Sequence, residues 1–487
     1  MILSKLLSNT WAPLTAICLG TFMLLVDVTI VTVALPNMAS ELHAGFSGLQ
    51  WVIDAYALAL AALLLGVGSL ADRLGRQRIY LAGLVVFALA SLACGLAPSS
   101  PVLIAARAVQ GAGAAAMLAM TLALLSTTYR GAARGTAFGV WGATSAAAAA
   151  TGPLLGGLLT QGLSWRWIFF VNLPIAAVTI ALAALVLREP REPERRSGGA
   201  SGLDLPGVAT FTLAAGAATT ALVRVPRAGW GAASTLGLLT AAVVALAAFV
   251  VIERRSDTPM LDLGLLRRGS FSGVLIAATL LSAAAFATLV YASLWLQSAL
   301  GLSPIGGGLV LAPLAACSLM VSLIVGRFLH GGAARFAIGG GLLAIGVGDL
   351  LQTGLSRGSG WPALIAGFVV TGIGVGLATP TLASAAMAAV PPARAGMAAG
   401  AVNTARQLGL ALGIGALGSV YDDRVGAHGA ANALGATFLV AGAAGLAAGT
   451  IALILIRRPA ARATRRPTTA TAALEIRTGP IDRPRES

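Results

Sequence analysis

Charged residues are scarce in this chain, and their scarcity excludes most classes of soluble protein. Only 10% of the 487 residues are Asp, Glu, Lys or Arg, whereas 57% are hydrophobic. The mean hydropathy is +0.88. Such a composition is typical of a polytopic membrane protein, because a water-soluble domain needs far more polar surface.

Cysteine and histidine are also rare, with three of each in the chain. Cys18, Cys94 and Cys317 lie inside apolar runs without metal-ligand spacing, so the sequence predicts no disulfide framework and no metal site. The histidines do not cluster, and no catalytic dyad is visible. We therefore expect a protein that is not an enzyme and that needs no cofactor.

Acidic residues are outnumbered, with 17 Asp and Glu against 32 Lys and Arg. The basic excess does not form one patch, which disfavours a nucleic-acid partner. Instead, 25 of the 32 basic residues lie in the two ends and in every second loop, and five lie in the intervening loops. Because cytoplasmic loops are enriched in Lys and Arg, this distribution predicts a multi-pass protein of the cell membrane with both termini in the cytoplasm.

Fourteen windows of about twenty residues are apolar enough to cross a bilayer as helices. The predicted spans are 12–37, 47–70, 78–97, 101–128, 135–160, 165–187, 205–224, 232–252, 270–297, 305–329, 334–354, 361–385, 397–420 and 434–457. The sequence therefore predicts an all-α polytopic membrane protein.

The spans group as six, two and six. The predicted domains are an N-terminal six-helix half at 1–187, a cytoplasmic linker at 188–204, two inserted helices at 205–252, a C-terminal six-helix half with its preceding loop at 253–457, and a disordered basic cytoplasmic tail at 458–487. The halves look like repeats, since Gln110-Gly111-Ala112-Gly113 in the fourth span is echoed by Gly372-Ile373-Gly374 in the twelfth. Repeated halves imply a site between them near the membrane midplane and alternating access.

A charged hinge separates the second and third spans. Its glycines and charges are Gly68, Asp72, Arg73, Gly75 and Arg76. Glycine permits a tight turn and close packing, and a carboxylate is stabilised when it faces a helix N-terminus or an arginine. We expect Asp72 to meet the start of the thirteenth span, near Arg394 and Gly396, and to hold the two halves together there as a conformational latch.

Two acids and one arginine lie at similar depth inside the first half: Asp27, Asp54 and Arg107. A charge in the bilayer interior costs at least about 2.5–3.5 kcal/mol, so such residues usually serve function or a paired structural role. A buried Asp–Arg–Asp cluster keeps one acid ionised and leaves the other able to bind a proton. This predicts proton coupling; the alternative is a static ion pair that holds the first, second and fourth helices together.

Other polar residues in the spans are candidates for the lining of a substrate cavity. With Asp27 and Asp54, this set comprises Gln110, Asn403, Arg406 and Gln407. Asp349 is a third acid inside a span. It lies only about 8 Å from the end of its helix, from where a side chain can reach the membrane surface.

Five strings carry a resemblance to one family of transporters, and the fifth lies in the second half, from Arg394-Ala395-Gly396 through Asn403-Thr404-Ala405-Arg406-Gln407-Leu408-Gly409. The hinge from Gly68 to Arg78 resembles the signature loop of the major facilitator superfamily. In the fifth span, Gly152, Pro153, Gly156 and Gly157 form a string similar to a motif of exporters that exchange substrate for protons, with Ala148 in place of its usual first glycine. The strings Leu25 to Pro36 and Trp165 to Ile175 resemble motifs of the fourteen-helix drug:proton antiporter branch.

The resemblance implies the major facilitator fold and proton-coupled efflux of lipophilic, often cationic, small molecules such as drugs and antibiotics. The implied partners are a small-molecule substrate, protons and the lipid bilayer, with the proton gradient as the driving force and a monomer as the functional unit. A dedicated exporter of one endogenous metabolite has the same mechanism and stays open. Proton-symport uptake is disfavoured by the Gly152 string, and a non-transporting sensor or scaffold has no reason to keep Asp27 and Asp54 in the bilayer.

Overall fold

The computed structural model describes most of the chain, and the described part is helical between short turns. The described residues are 9–43, 46–187, 204–256, 259, 261–267, 269–328, 334–356 and 358–456. The predicted linker, apart from Asp204, and the predicted disordered tail lie outside them. The chain up to Arg457 is one compact unit.

The helices follow the predicted spans closely. Those of the first half are α1 Ala12–Glu41, α2 Phe46–Leu74, α3 Arg76–Gly95, α4 Ser100–Thr128, α5 Gly131–Gly162, α6 Trp167–Phe170 and α7 Asn172–Val186. The inserted pair is α8 Leu205–Ala228 and α9 Ala233–Arg255. Those of the second half are α10 Leu263–Leu266, α11 Gly269–Leu281, α12 Ala287–Leu294, α13 Pro304–Phe328, α14 Ala334–Leu350, α15 Pro362–Ala388, α16 Ala395–His428 and α17 Ala430–Leu455.

Helices lie at all fourteen predicted spans, and among the described residues eleven helices are long and apolar enough to cross a membrane. The three predicted spans outside that set coincide with α5, α14 and α16. Helix α14 is short, at 17 residues, and the other two are rich in glycine and alanine and carry arginines. The count of fourteen membrane crossings therefore stays a prediction, while the all-helical fold is confirmed.

The same packing pattern occurs in both halves. Helix α4 packs against α2 and α3, and α15 packs against α13 and α14. Close approach rests on glycines at the predicted repeat: a Cβ on Gly113 would lie 2.7 Å from the backbone nitrogen of Phe87, and one on Gly374 would lie 2.8 Å from that of Ile345. Gly113 and Gly374 are thus equivalent positions in the two halves.

The halves meet mainly along two helix pairs, α2 with α16 and α5 with α13, and α16 also packs against α4. The inserted helix α8 packs against both α2 and α16, and α9 packs against α8. Helix α8 therefore touches one helix of each half, close to where the halves join.

The ninth predicted span is not a continuous α-helix. Two π-helical segments interrupt it, π1 at Ser282–Phe286 and π2 at Trp295–Ala299. Helix α16 packs against π1, where a Cβ on Gly413 would lie 2.7 Å from the Cα of Ala283. Short π segments inside helices occur frequently at functional sites.

Candidate functional site

A buried polar network surrounds Asp27, which is 0% exposed. Its Oδ2 accepts a hydrogen bond from Arg107 Nη1 at 2.7 Å. Its Oδ1 accepts from the side-chain amides of Gln110 at 2.9 Å and Asn172 at 2.8 Å. The carboxylate of α1 is therefore held by donors on α4 and α7.

Arg107 is 1% exposed and is also fixed by neutral partners. Its Nε donates to the Val52 carbonyl at 3.0 Å, and its Nη1 donates to Gln110 Oε1 at 2.6 Å. The guanidinium lies over the Tyr56 ring, 4.2 Å from the centroid. An arginine whose charge is paired and whose donors are used can be buried in this way, whereas an unpaired one would be strongly destabilising.

Gln110 and Ser91 extend the network to α3. Gln110 Nε2 donates to Ser91 Oγ at 2.8 Å, and that hydroxyl donates to the Phe87 carbonyl at 2.8 Å. Changes in the charge of Asp27 therefore act on polar groups of five helices, α1 to α4 and α7. Protonation of Asp27 can therefore change how these helices pack, because each polar side chain in the network is hydrogen-bonded to another one.

The predicted three-residue cluster is only partly assembled. Arg107 forms its salt bridge with Asp27, while Asp54 is partly exposed on α2. Asp54 precedes Gly68 by fourteen residues, nearly four full turns, so it lies on the face of α2 that meets the second half. The role of each acid in proton coupling stays a prediction.

Sequence reasoning did not single out Asn172 or Ser91. Both are neutral residues in apolar surroundings, and single polar residues of this kind are common in spanning helices. A usable signal existed for Asn172, since it lies inside the Trp165 to Ile175 string. Ser91 offered no signal beyond its position in a long apolar run.

A second buried acid lies in the other half. Asp349 of α14 is 1% exposed, so the interpretation that it reaches the membrane surface is wrong. It lies four residues after Ile345, as Ser91 lies four residues after Phe87, which makes Asp349 the counterpart of Ser91. Its neighbour is Thr371 of α15, and among the described residues it forms no salt bridge.

The predicted cavity residues on α16 differ in exposure. Asn403 is 1% exposed, and its Nδ2 donates to the Leu118 carbonyl of α4 at 3.2 Å. Arg406 and Gln407 are partly exposed. Asn403 therefore links the two halves directly, whereas Arg406 and Gln407 remain available to a ligand.

The hinge forms the predicted contact with α16. Asp72 Oδ1 accepts from the Gly396 backbone N–H, and its Oδ2 accepts from that of Met397, both at 2.9 Å. Arg76 pairs with the same carboxylate at 2.9 Å. The carboxylate of one half thus caps a helix N-terminus of the other half, where the helix dipole favours negative charge.

Two details of the hinge follow from its backbone. Gly75 has φ +107°, a conformation that favours glycine, and it separates α2 from α3. A Cβ on Gly68 would lie 2.5 Å from the Gly396 carbonyl oxygen. The helices therefore cross at a point where no side chain fits.

Arg394 does not join the Asp72 contact. It forms an ion pair with Asp262, which precedes α10. Arg73 is partly exposed at the end of α2. The predicted latch thus consists of Asp72, Arg76 and the first backbone N–H groups of α16, and Arg394 fixes the neighbouring loop instead.

The glycine string of α5 packs against α1. A Cβ on Gly152 would overlap Thr29 Oγ1 and lie 3.2 Å from the Val26 carbonyl oxygen. Gly156 and Gly157 are buried further along the helix, and Pro153 follows Gly152 directly. The string brings α5 close to the segment of α1 that carries Asp27.

The sequence matches a family model described as the Major Facilitator Superfamily over residues 17–414 and 274–481. The chain belongs to the major facilitator superfamily. Its relatives in the superfamily include Multidrug resistance protein Stp of Mycobacterium tuberculosis, 38% identical over 82% of this chain and 74% of that protein. Another is the Methylenomycin A resistance protein of Streptomyces coelicolor, 34% identical over 92% of this chain and 93% of that protein.

A solved structure of another major facilitator has the same fold. The proton:xylose symporter XylE, bound to 6-bromo-6-deoxy-D-glucose, superposes with a TM-score of 0.64 at 14% identity, over 93% of this chain and 96% of that one. The predicted fold class is therefore confirmed, and the superfamily and fold indicate a transporter.

Proposed function

We propose that this major facilitator exports lipophilic small molecules, including drugs and antibiotics, in exchange for protons that move into the cell. The observation that carries the proposal is the Asp27–Arg107 network, buried in the first half at the depth of the membrane. The names of the relatives, which are multidrug and antibiotic resistance proteins, support the substrate class.

Coupling would begin with protonation of Asp27. A neutral acid no longer attracts the guanidinium of Arg107, which would then depend on Gln110 and the Val52 carbonyl. The loss of that attraction would loosen α1 from α4. Proton binding on one side and release on the other would thereby favour different arrangements of the first half.

The Asp72 contact would be the second moving part. We place the Asp72 end of the bundle in the cytoplasm, with both termini, because the basic residues cluster on that side of the sequence pattern. With Asp72 capping α16, the cytoplasmic end is closed between α2 and α16. Breaking this cap would open the path by which substrate enters from the cytoplasm. No cofactor is needed in this cycle, and a monomer suffices.

A susceptibility panel in an efflux-deficient host tests the proposal. Cells that produce the protein should tolerate higher concentrations of several lipophilic compounds than cells without it, and should accumulate less of each compound. An uncoupler should abolish this difference in accumulation. Protection that survives the uncoupler would contradict proton coupling.

Protection against one compound alone would favour the second candidate, a dedicated exporter of one metabolite. The name of the methylenomycin A relative refers to one antibiotic, which supports this second candidate.

A further inference from the structure

Arg406 is an interior cation that forms no hydrogen bond or ion pair with any described residue. It lies eleven residues after Ala395, the first residue of α16, about 17 Å along the helix. A cation at this depth costs at least about 2.5–3.5 kcal/mol. Its charge therefore requires water or a ligand from outside the protein.

The direction of Arg406 follows from its neighbours on α16. Three residues earlier, Asn403 contacts Leu118 of α4. Three residues later, Gly409 packs against the Thr279 carbonyl of α11. Since each residue turns an α-helix by about 100°, Arg406 points between these two contacts, and hence between a helix of the first half and a helix of the second.

Arg406 is only partly covered by the helices that pack against α16. Its side chain is partly exposed, and so is that of Gln407, whereas Asn403 and Thr404 on the same turn are buried. The π1 segment, against which α16 packs, borders the same region. The guanidinium and the amide of Gln407 are thus partly accessible polar groups beside the junction of the halves.

Acids on neighbouring helices do not neutralise Arg406. Asp27 is bound to Arg107, and Asp72 is bound to Arg76 and the start of α16. Asp54 faces the second half, but α2 and α16 run antiparallel with Leu64 against Gly400. That register offsets Asp54 from Arg406 by about 6 Å along the bundle, and no salt bridge among the described residues joins the two.

We propose that Arg406 is an anion-binding subsite of the substrate cavity and that this transporter accepts lipophilic molecules bearing a carboxylate, phenolate or sulfonate group. A guanidinium offers two parallel N–H donors, which match the two oxygens of such a group. Gln407 adds an amide donor beside it. The inference rests on the proposed efflux function and narrows its substrates to acids, in contrast to the cationic molecules expected from the sequence resemblance.

Dye binding to the purified protein in lipid nanodiscs tests this subsite. Fluorescein is the anionic probe and ethidium the cationic one, with binding followed by fluorescence polarisation. Arg406→Gln should weaken fluorescein binding about ten- to a hundredfold. Arg406→Lys should lose less affinity, since it keeps the charge without the paired donors.

Arg424→Gln is the matched control, because Arg424 is an exposed arginine near the other end of the same helix. It should bind fluorescein like the wild type. Ethidium should not bind more weakly to Arg406→Gln than to the wild type.

Three results would overturn the subsite: fluorescein binding unchanged in Arg406→Gln, a wild type that binds ethidium but not fluorescein, or fluorescein fully displaced by excess chloride. The last would identify a site for inorganic anions. If the anion subsite fails these tests, proton-driven uptake of ethidium into membrane vesicles that contain the wild type would show that the efflux function still stands.

Discussion

At the scale of single residues, Asp27 and Arg107 decide what the buried network can do. The carboxylate accepts from one charged donor and two amide donors. The amides can therefore still bind the neutral acid when its bond to the Arg107 guanidinium breaks. Proton binding at Asp27 therefore competes with Arg107 rather than with the whole network.

Replacement of Arg107 tests that competition. In Arg107→Ala the acid loses its cation, so the pH optimum of transport should move upward. Initial rates of dye efflux measured across a pH series give the shift. Asn172→Ala, which removes a neutral donor to the same carboxylate, is the control and should shift the optimum less.

An unchanged pH profile in a well-expressed Arg107→Ala protein would show that the pair is a static pin between α1 and α4. An equal shift of the pH optimum in Arg107→Ala and Asn172→Ala would support the same conclusion, because the charge of Arg107 would then have no effect beyond that of a neutral donor.

The site residues that could be predicted from the sequence were the charged ones whose depth in the membrane follows from their distance to a helix end. Asp27 and Arg107 meet because both lie a similar distance from their helix ends. Depth alone does not give the direction of a side chain, however. For that reason the burial of Asp349 could not be foreseen, nor that Asp27 is the acid with which Arg107 pairs.

At the scale of elements, the contact between α2 and α16 combines a cap with a close crossing. The contact was predictable, since an acid at the end of one helix and a helix start in the other half are both visible in the sequence. The partner of Arg394 was not predictable, because Asp262 is brought close only by the tertiary path of the loop before α10.

Asp72→Asn should weaken the cap, because one accepting oxygen becomes an amide donor that faces a backbone N–H. The loss is about 1–2 kcal/mol, which shifts a balanced two-state equilibrium about five- to thirtyfold toward opening at this end. Substrate should still bind, while turnover falls.

Labelling of a single cysteine reports that shift. Ala57 is partly exposed and lies seven residues before Leu64, on the face of α2 that meets α16. With Cys18, Cys94 and Cys317 replaced, Ala57→Cys should react more slowly from outside when Asp72→Asn is added. Equal or faster labelling would mean that Asp72 does not hold this end closed.

The crossing of α1 and α5 makes a separate prediction. Gly152→Ala places a methyl group into Thr29, and overpacking of this kind costs about 1–3 kcal/mol, so dye efflux should fall. Gly157→Ala is the control on the same helix, since its Cβ would meet Ile305 at an ordinary 3.5 Å. Efflux rates at matched membrane levels provide the comparison.

Thr29→Gly, which removes the clashing side chain, should restore part of the efflux of Gly152→Ala. Equal activity of the two alanine variants would show that α1 and α5 have room to separate, and the close crossing would then have no part in transport.

At the scale of the whole molecule, the two halves have the same packing but different polar interiors. The first half holds a charge-paired network around Asp27, while the second half holds Asp349 beside Thr371 at the counterpart position of Ser91. Arg406 lies between the halves. The proton site and the substrate site are therefore expected to be distinct, and to communicate through α4, which carries Arg107 and also contacts Asn403.

The central claim is that Asp27 couples proton movement to export. It is tested most directly by Asp27→Asn in everted membrane vesicles that are acidified inside and contain a pH-sensitive dye. Adding a dye that the wild-type protein exports should release protons from wild-type vesicles, because substrate enters as protons leave. Asp27→Asn vesicles should show no release, since an amide cannot carry the proton, although the substrate still binds; proton release equal to the wild type would contradict the account.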